Sequence, residues 1–228
     1  MQKRNHLFLK QNLGNMVRIP EENTWVIFIL LACIFALIFM MNTIQRDATL
    51  KDFLLQKYYD SANNFISWLI ISMVTATCLA TLFSQFNPTT PEILAKLSVF
   101  GIQLNKFGFT FLAILLFYFL KSGLSFLLYQ STGNSKKWPL LYFTASKFYF
   151  LLCFVLIIAN IINYYFPIER SIAFNYYLYT LSFIFIFKIL FYFFHTNNIL
   201  PEKWYYKILY ICTLQIAPLL IIWRLLFF

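Results

Sequence analysis

The chain has 228 residues, of which 61% are hydrophobic and 11% charged, with 29 Phe and 15 Tyr, and its mean hydropathy is +0.70. A soluble domain is about half apolar and about a quarter charged, so soluble enzyme, disordered chain, disulfide scaffold and collagen are excluded and an integral membrane protein remains. Eighteen basic against eight acidic side chains give a formal charge of +10, but the bases are scattered without a dense run, so anionic lipid headgroups rather than nucleic acid are the expected counter-charge.

Residues 1–23 are a polar tail carrying Lys3, Arg4, Lys10 and Arg18. The apolar run Trp25–Met41 follows. It is longer than a usual signal-peptide core and no small-x-small cleavage pattern follows it, which predicts a retained anchor. Five further runs, Phe65–Phe83, Phe107–Tyr129, Leu140–Phe166, Ala173–Phe194 and Ile208–Phe228, are long enough to cross a bilayer as helix, which takes about 20 residues. They are too continuously apolar for alternating barrel strands. The predicted fold is therefore an all-α, polytopic transmembrane bundle of six spans, a single domain over residues 24–228, with both termini on one side and the last helix running to the final residue. The connections predict one or two short interfacial helices. Leu50, Phe53, Leu54 and Tyr58 fall at helical spacing behind Asp47 or Thr49 as a cap. Thr89-Thr90-Pro91-Glu92 opens a second candidate containing Ile93, Leu94 and Leu97, with a re-entrant segment as the alternative. Trp25, Trp68, Trp138, Trp204 and Trp223 lie near span ends, as interfacial belts require. Counting bases on each face gives seven against seven, so the positive-inside rule is silent. The four bases of the short tail favour cytoplasmic termini.

The most informative feature is a set of cations inside the spans. Lys121 lies eight residues before Tyr129, Lys147 eight after Pro139, and Lys188 seven before His195. At about 1.5 Å per helical residue, all three sit about 10–12 Å below the face bearing connections three and five. Gln215 and Ser72 belong to the same level. Each charge in hydrocarbon costs about 2.5–3.5 kcal/mol at mid-helix. Three readings offset that cost: snorkelling to the headgroups, an inward-facing site for an anion such as a lipid phosphate, polyprenyl phosphate or substrate carboxylate, or an acidic residue of a partner protein. No Asp or Glu lies within any span. Glu21, Glu22, Asp47, Asp52, Asp60, Glu92, Glu169 and Glu202 are all in the tail or connections. That argues against a proton-coupled pump, which usually needs an embedded carboxylate or His.

The remaining motifs point to structure more than chemistry. His6 and His195 are the only histidines, and neither haem nor metal nor another cofactor is expected. Cys33, Cys78, Cys153 and Cys212 are isolated within apolar runs and read as small buried hydrophobes. Ser125 within Gly123-Leu124-Ser125-Phe126, with His195, loosely resembles an intramembrane serine protease. However, Phe126 stands where that family has Gly, and Ser125 more simply hydrates Lys121 one turn away. Ser72, Ala76, Ala80 and Ser84 form a small-residue stripe for close helix approach, within the chain or across a dimer. Pro218 frees the carbonyl of Leu214 and predicts a kink, with Thr213 or Gln215 available to satisfy it. Asn160 and Asn163 are explained by hydrogen bonds between helices, and Phe183–Phe187 by lipid or core contact.

Asp60-Ser61-Ala62-Asn63-Asn64-Phe65-Ile66-Ser67-Trp68, Lys121, Lys147 and the stretch Leu209-Tyr210-Ile211-Cys212-Thr213-Leu214-Gln215-Ile216-Ala217-Pro218-Leu219-Leu220 together resemble the domain of unknown function 4271 family, polytopic inner-membrane proteins of Bacteroidota-type bacteria. The resemblance covers most of the chain. It implies a bacterial inner membrane and a cell-envelope context, and lends no activity. Glu is frequent in that family where this chain has Gln215, and such a Glu could pair with the lysines, whereas Gln215 can only hydrogen-bond. The resulting expectation is a non-catalytic inner-membrane subunit or scaffold of an envelope complex, with a membrane-protein partner or a homo-oligomer. The alternative is a transporter or flippase that binds an anionic lipid at the lysine layer.

Overall fold

A computed structural model describes residues 24–45, 49–60, 63–86, 98–99, 102–103, 105–166, 168–194, 199–201 and 203–227. The basic tail, Arg46, Asp47, the segment 89–97 and His195 lie outside the described residues. Helix α1 (Thr24–Phe39) runs on through a π-helical turn, Met40–Ile44, and the short helix α2 (Leu50–Leu55) follows. Then come α3 (Asn64–Ser84), a two-residue antiparallel pair of β1 (Ser98–Val99) and β2 (Ile102–Gln103), α4 (Lys106–Ser131) and α5 (Trp138–Tyr165). The chain closes with α6 (Arg170–Phe194), α7 (Trp204–Leu209), a second π-helical segment, Tyr210–Ile216, and α8 (Ala217–Phe227). Among the described residues, six helical stretches are long and apolar enough to cross a membrane: Thr24–Ile44, Asn64–Ser84, Lys106–Ser131, Ser135–Tyr165, Ile172–Phe194 and Trp204–Ile221. The chain is thus a predominantly helical, multi-pass membrane protein, and most of its spans start and stop close to the hydropathy boundaries, the last being displaced toward the N-terminus. The β1–β2 pair was not expected from the sequence.

Local chemistry sets several helix ends. The Asn105 carboxamide oxygen accepts from the Gly108 amide at 2.8 Å and caps α4. Pro139 lies in the first turn of α5, where its missing N–H costs nothing. Gly133, at φ +71°, makes the tight turn between α4 and α5 in the left-handed region that glycine enters without a Cβ clash.

Helices α3 and α5 form the centre of the bundle. In their most apolar stretches 56% and 50% of residues are buried, against 11% in α4 and in α6, which lie at the outside of the bundle. Composition explains the difference. Small and hydroxylated residues of α3, among them Ser67, Ser72, Thr75, Ala76, Cys78, Ala80, Thr81 and Ser84, are buried, and they let neighbouring backbones approach closely. Three of their hydroxyls are satisfied by carbonyls of the same helix: Thr75 donates to the Ile71 carbonyl at 2.6 Å, Thr81 to Thr77 at 2.9 Å and Ser84 to Thr81 at 2.9 Å. Ala76 and Ala80 pack against Ile114 of α4, so the stripe is used within one chain. Asn160 of α5 donates to the Cys78 carbonyl at 3.0 Å, and Asn163 donates to Gln85 at 2.6 Å. The expectation that all four cysteines are buried fails at Cys212, which is exposed, while Cys33, Cys78 and Cys153 are buried. Cys212 and Thr213 occupy the outer face of the second π segment, opposite Tyr210, Leu214 and Gln215.

The predicted interfacial helix is shorter than its apolar spacing indicates. It ends at Leu55, and Tyr58–Asp60 form a separate 3₁₀ turn. Thr49 caps it in a reciprocal box: the Asp52 amide donates to the Thr49 hydroxyl at 3.2 Å, and the Thr49 amide donates to the Asp52 carboxylate at 3.2 Å. These bonds to Thr49 hold the Asp52 carboxyl below its ordinary value of 3.8.

Candidate functional site

Lys121 of α4 and Lys188 of α6 reach one cavity of about 50 Å³, walled by residues of α3 to α6 and the second π segment. Lys188, only 4% exposed, donates to the Tyr149 hydroxyl at 2.6 Å, and its ammonium sits 4.4 Å from the centroid of the same ring. Tyr192 and Phe148 flank it at 5.5 and 5.8 Å. Lys121 donates to Gln215 Oε1 at 2.7 Å, and Gln215 Nε2 donates to the Tyr210 hydroxyl at 2.9 Å. Both lysines and Tyr149 line this one cavity, so the two amino groups belong to one cluster. Tyrosine faces stabilise an ammonium by about 0.5–2 kcal/mol. That only partly offsets the several kcal/mol of removing each charge from water. Among the described residues that line the cavity there is no Asp or Glu.

The second π segment explains how Gln215 joins Lys121. In an α-helix residues five apart point about 140° away from one another, at about 3.6 residues per turn. A π-helical segment closes i→i+5 bonds and brings such residues onto one face. Tyr210 and Gln215 are five apart and their side chains hydrogen-bond. The π segment, Tyr210–Ile216, ends before Pro218 and places two polar groups, Tyr210 and Gln215, in the lining of the cavity. Neither predicted partner serves the Leu214 carbonyl: Thr213 donates to Leu209 at 2.5 Å, and the Gln215 side chain is engaged with Lys121 and Tyr210.

Two residues expected at the same level lie elsewhere. Lys147 turns away from the cavity and donates to the backbone carbonyl of Leu54 at 2.9 Å and to that of Gln56, with the Phe143 ring 4.3 Å from its ammonium. It thus caps the C-terminal carbonyls of α2, a favourable place for a cation, while Phe53, 2% exposed, packs on Phe150 at 5.0 Å. Equal depth placed Lys147 in the layer, but the direction around α5 separates it from Tyr149, two residues on. Ser72 is buried and its hydroxyl has no hydrogen-bond partner among the described residues. It does not line the cavity. Ser125 does line it, buried next to Tyr210.

A Lys147→Met variant should release α2 while leaving the cavity intact. Hydrogen bonds to a charged group are worth about 1.5–3 kcal/mol, so amide exchange across residues 50–56 should accelerate by about tenfold or more, with unchanged exchange in α4 and α6. Hydrogen exchange read by mass spectrometry in lipid nanodiscs checks this.

The wall of the cavity contains residues that the sequence reading assigned to other roles or passed over. Trp68 and Trp138, expected in the interfacial belts, both meet the ring of Tyr142, at 4.5 and 4.2 Å between centroids. Tyr149, Tyr192 and Tyr210 supply the aromatic lining, and fifteen tyrosines among 29 phenylalanines gave no indication of which would gather here.

No curated protein and no solved structure matches the chain. A family model described as "Domain of unknown function (DUF4271)" matches residues 23–226, a stretch that takes in all six apolar helices. The chain therefore belongs to this family.

Proposed function

We propose that the protein acts without catalysis as an intramembrane binder of an anionic group, a phosphate or a carboxylate, held between Lys121 and Lys188, in the manner of a lipid carrier or flippase of a bacterial inner membrane. The observation that carries this reading is the pairing of two lysines from different spans in one cavity whose described lining residues include no carboxylate. Snorkelling would send each ammonium separately toward the headgroups; these two instead share the neighbourhood of Tyr149. An anion between them removes the uncompensated charge, with the Tyr149 hydroxyl and the Gln215 amide as further ligands. Native mass spectrometry of protein extracted from vesicles containing phosphatidic acid tests this. The wild type should retain the anionic lipid and a Lys121→Met/Lys188→Met variant should lose it. Equal retention by both would refute the site.

A second reading, the subunit or scaffold of an envelope complex, draws support from α6. Tyr176, Tyr179, Phe183 and Phe187 make an outward aromatic ridge, each at least 55% exposed, suited to a partner transmembrane helix. Gentle solubilisation should then yield a stoichiometric companion, and a clean monomer would exclude it.

A further inference from the structure

We propose that the anion enters sideways from the bilayer, as the headgroup of a single-headed anionic amphiphile whose chain stays in the lipid, through a seam between α3, α4 and α5. This inference rests on the anion-site reading above. On the side of connection five, described residues lie over Tyr210, which lines the cavity. The Tyr129 hydroxyl donates to the Ile199 carbonyl at 3.0 Å, which holds Ile199 against the end of α4. Ile199 and Leu200 are 0% and 3% exposed there. Beneath them the buried rings of Tyr129 and Tyr210 meet edge to face at 6.1 Å. A water-borne anion meets a roof of apolar and aromatic groups.

The flank is different. Trp68, Ser122, Trp138 and Tyr142 all line the cavity and all are only half-buried. What joins them is light: a Ser122–Tyr142 hydroxyl contact at 3.0 Å and edge-to-face ring contacts of Tyr142 with the two tryptophans. Trp138 is the first residue of α5, and Ser122 lies nine residues before the end of α4, about 13 Å below it. The seam therefore runs from headgroup depth to the level of the lysines, the range over which a lipid passes from headgroup to acyl chain. Size agrees. A cavity of about 50 Å³ has room for a few water-sized groups, which fits the oxygens of a headgroup and not a chain. Separating one hydroxyl pair and rotating Tyr142 opens the way without breaking backbone contacts. The required ligand has one anionic group, which meets two cations, and an apolar remainder, which never leaves the bilayer.

The test uses the full chain in nanodiscs of phosphatidylcholine containing phosphatidic acid, with bound phosphatidic acid counted by native mass spectrometry. Inorganic phosphate in the buffer serves as the competing, water-borne form of the same chemistry. The wild type should keep its phosphatidic acid in excess inorganic phosphate. Ser122→Trp, which fills the seam, should lose it, and Trp68→Ala, which widens the seam, should exchange bound for labelled phosphatidic acid several-fold faster. If Ser122→Trp does not fold, the exchange rate of Trp68→Ala decides alone. Displacement of the lipid by inorganic phosphate, or wild-type behaviour of the folded seam variants, would overturn the lateral route and leave the anion site standing. Retention of phosphatidic acid by the Lys121→Met/Lys188→Met variant would instead overturn the site on which the route depends.

Discussion

A Lys121→Met/Lys188→Met double variant is expected to fold and to melt at the same temperature as the wild type or higher, although it has lost one buried and one half-buried hydrogen-bond donor. Each ammonium is held away from water beside aromatic rings, and the described lining residues supply no carboxylate. Replacing buried charges with apolar side chains of similar shape is often neutral or stabilising by about 1–4 kcal/mol. Against this, Gln215 Oε1 loses its donor, at a cost of about 1–3 kcal/mol, while the Tyr149 hydroxyl can donate elsewhere. The balance lies near zero or above it, so stability and anion retention should separate in this variant. Gln215→Glu is the converse case. A carboxylate 2.7 Å from the Lys121 ammonium would form an internal pair, and charge-assisted bonds are roughly twice as strong as neutral ones. That variant should melt higher than the wild type and bind anionic lipid more weakly, because the counter-charge is already present. Thermal unfolding in detergent, alongside lipid retention, checks both. A large drop in melting temperature for the Met variant would assign the lysines a structural role.

An Ala80→Leu substitution should have the largest destabilising effect of any single conservative change in the spans. Ala80 is 0% exposed and packs with Ala76 against Ile114, with Phe83 and Phe111 on the same contact. Overpacking a filled interior costs about 1–3 kcal/mol, and here the displaced neighbour is the whole of α4, which carries Lys121. The melting temperature and the occupancy of the cavity should therefore fall together. Met73→Leu on the same helix is the control: Met73 is 46% exposed to the outside of the bundle, and the change should be silent. Equal stability of Ala80→Leu and the wild type would mean that α3 and α4 do not approach as closely as the stripe requires.

Much of the architecture is a one-dimensional property and was legible as such. An apolar run must satisfy its backbone internally and must match the bilayer thickness, so six spans and their limits follow from order and length alone. The small-residue stripe from Ser72 to Ser84 and the cap at Thr49 are equally local. Depth is also a one-dimensional quantity, and it placed Lys121, Lys147, Lys188 and Gln215 at one level before any packing was considered. What depth cannot supply is azimuth. Lys147 and Tyr149 are two residues apart on α5 and point to different places, one to the carbonyls of α2 and the other to the cavity. The π segment at Tyr210–Ile216 re-phases its helix by a fraction of a turn, and that decides whether Gln215 faces Lys121 or lipid. Trp68 and Trp138 satisfy an interfacial pattern in the sequence, yet they form the wall of the cavity once α3 and α5 are packed. The amino-acid order by itself determined how many helices cross the membrane and how deep each polar group lies, because both depend only on hydrophobic run length and helical rise. Only the tertiary structure decided which of those groups meet, because rotation about each helix axis is set by side-chain packing against neighbours that are distant in the chain.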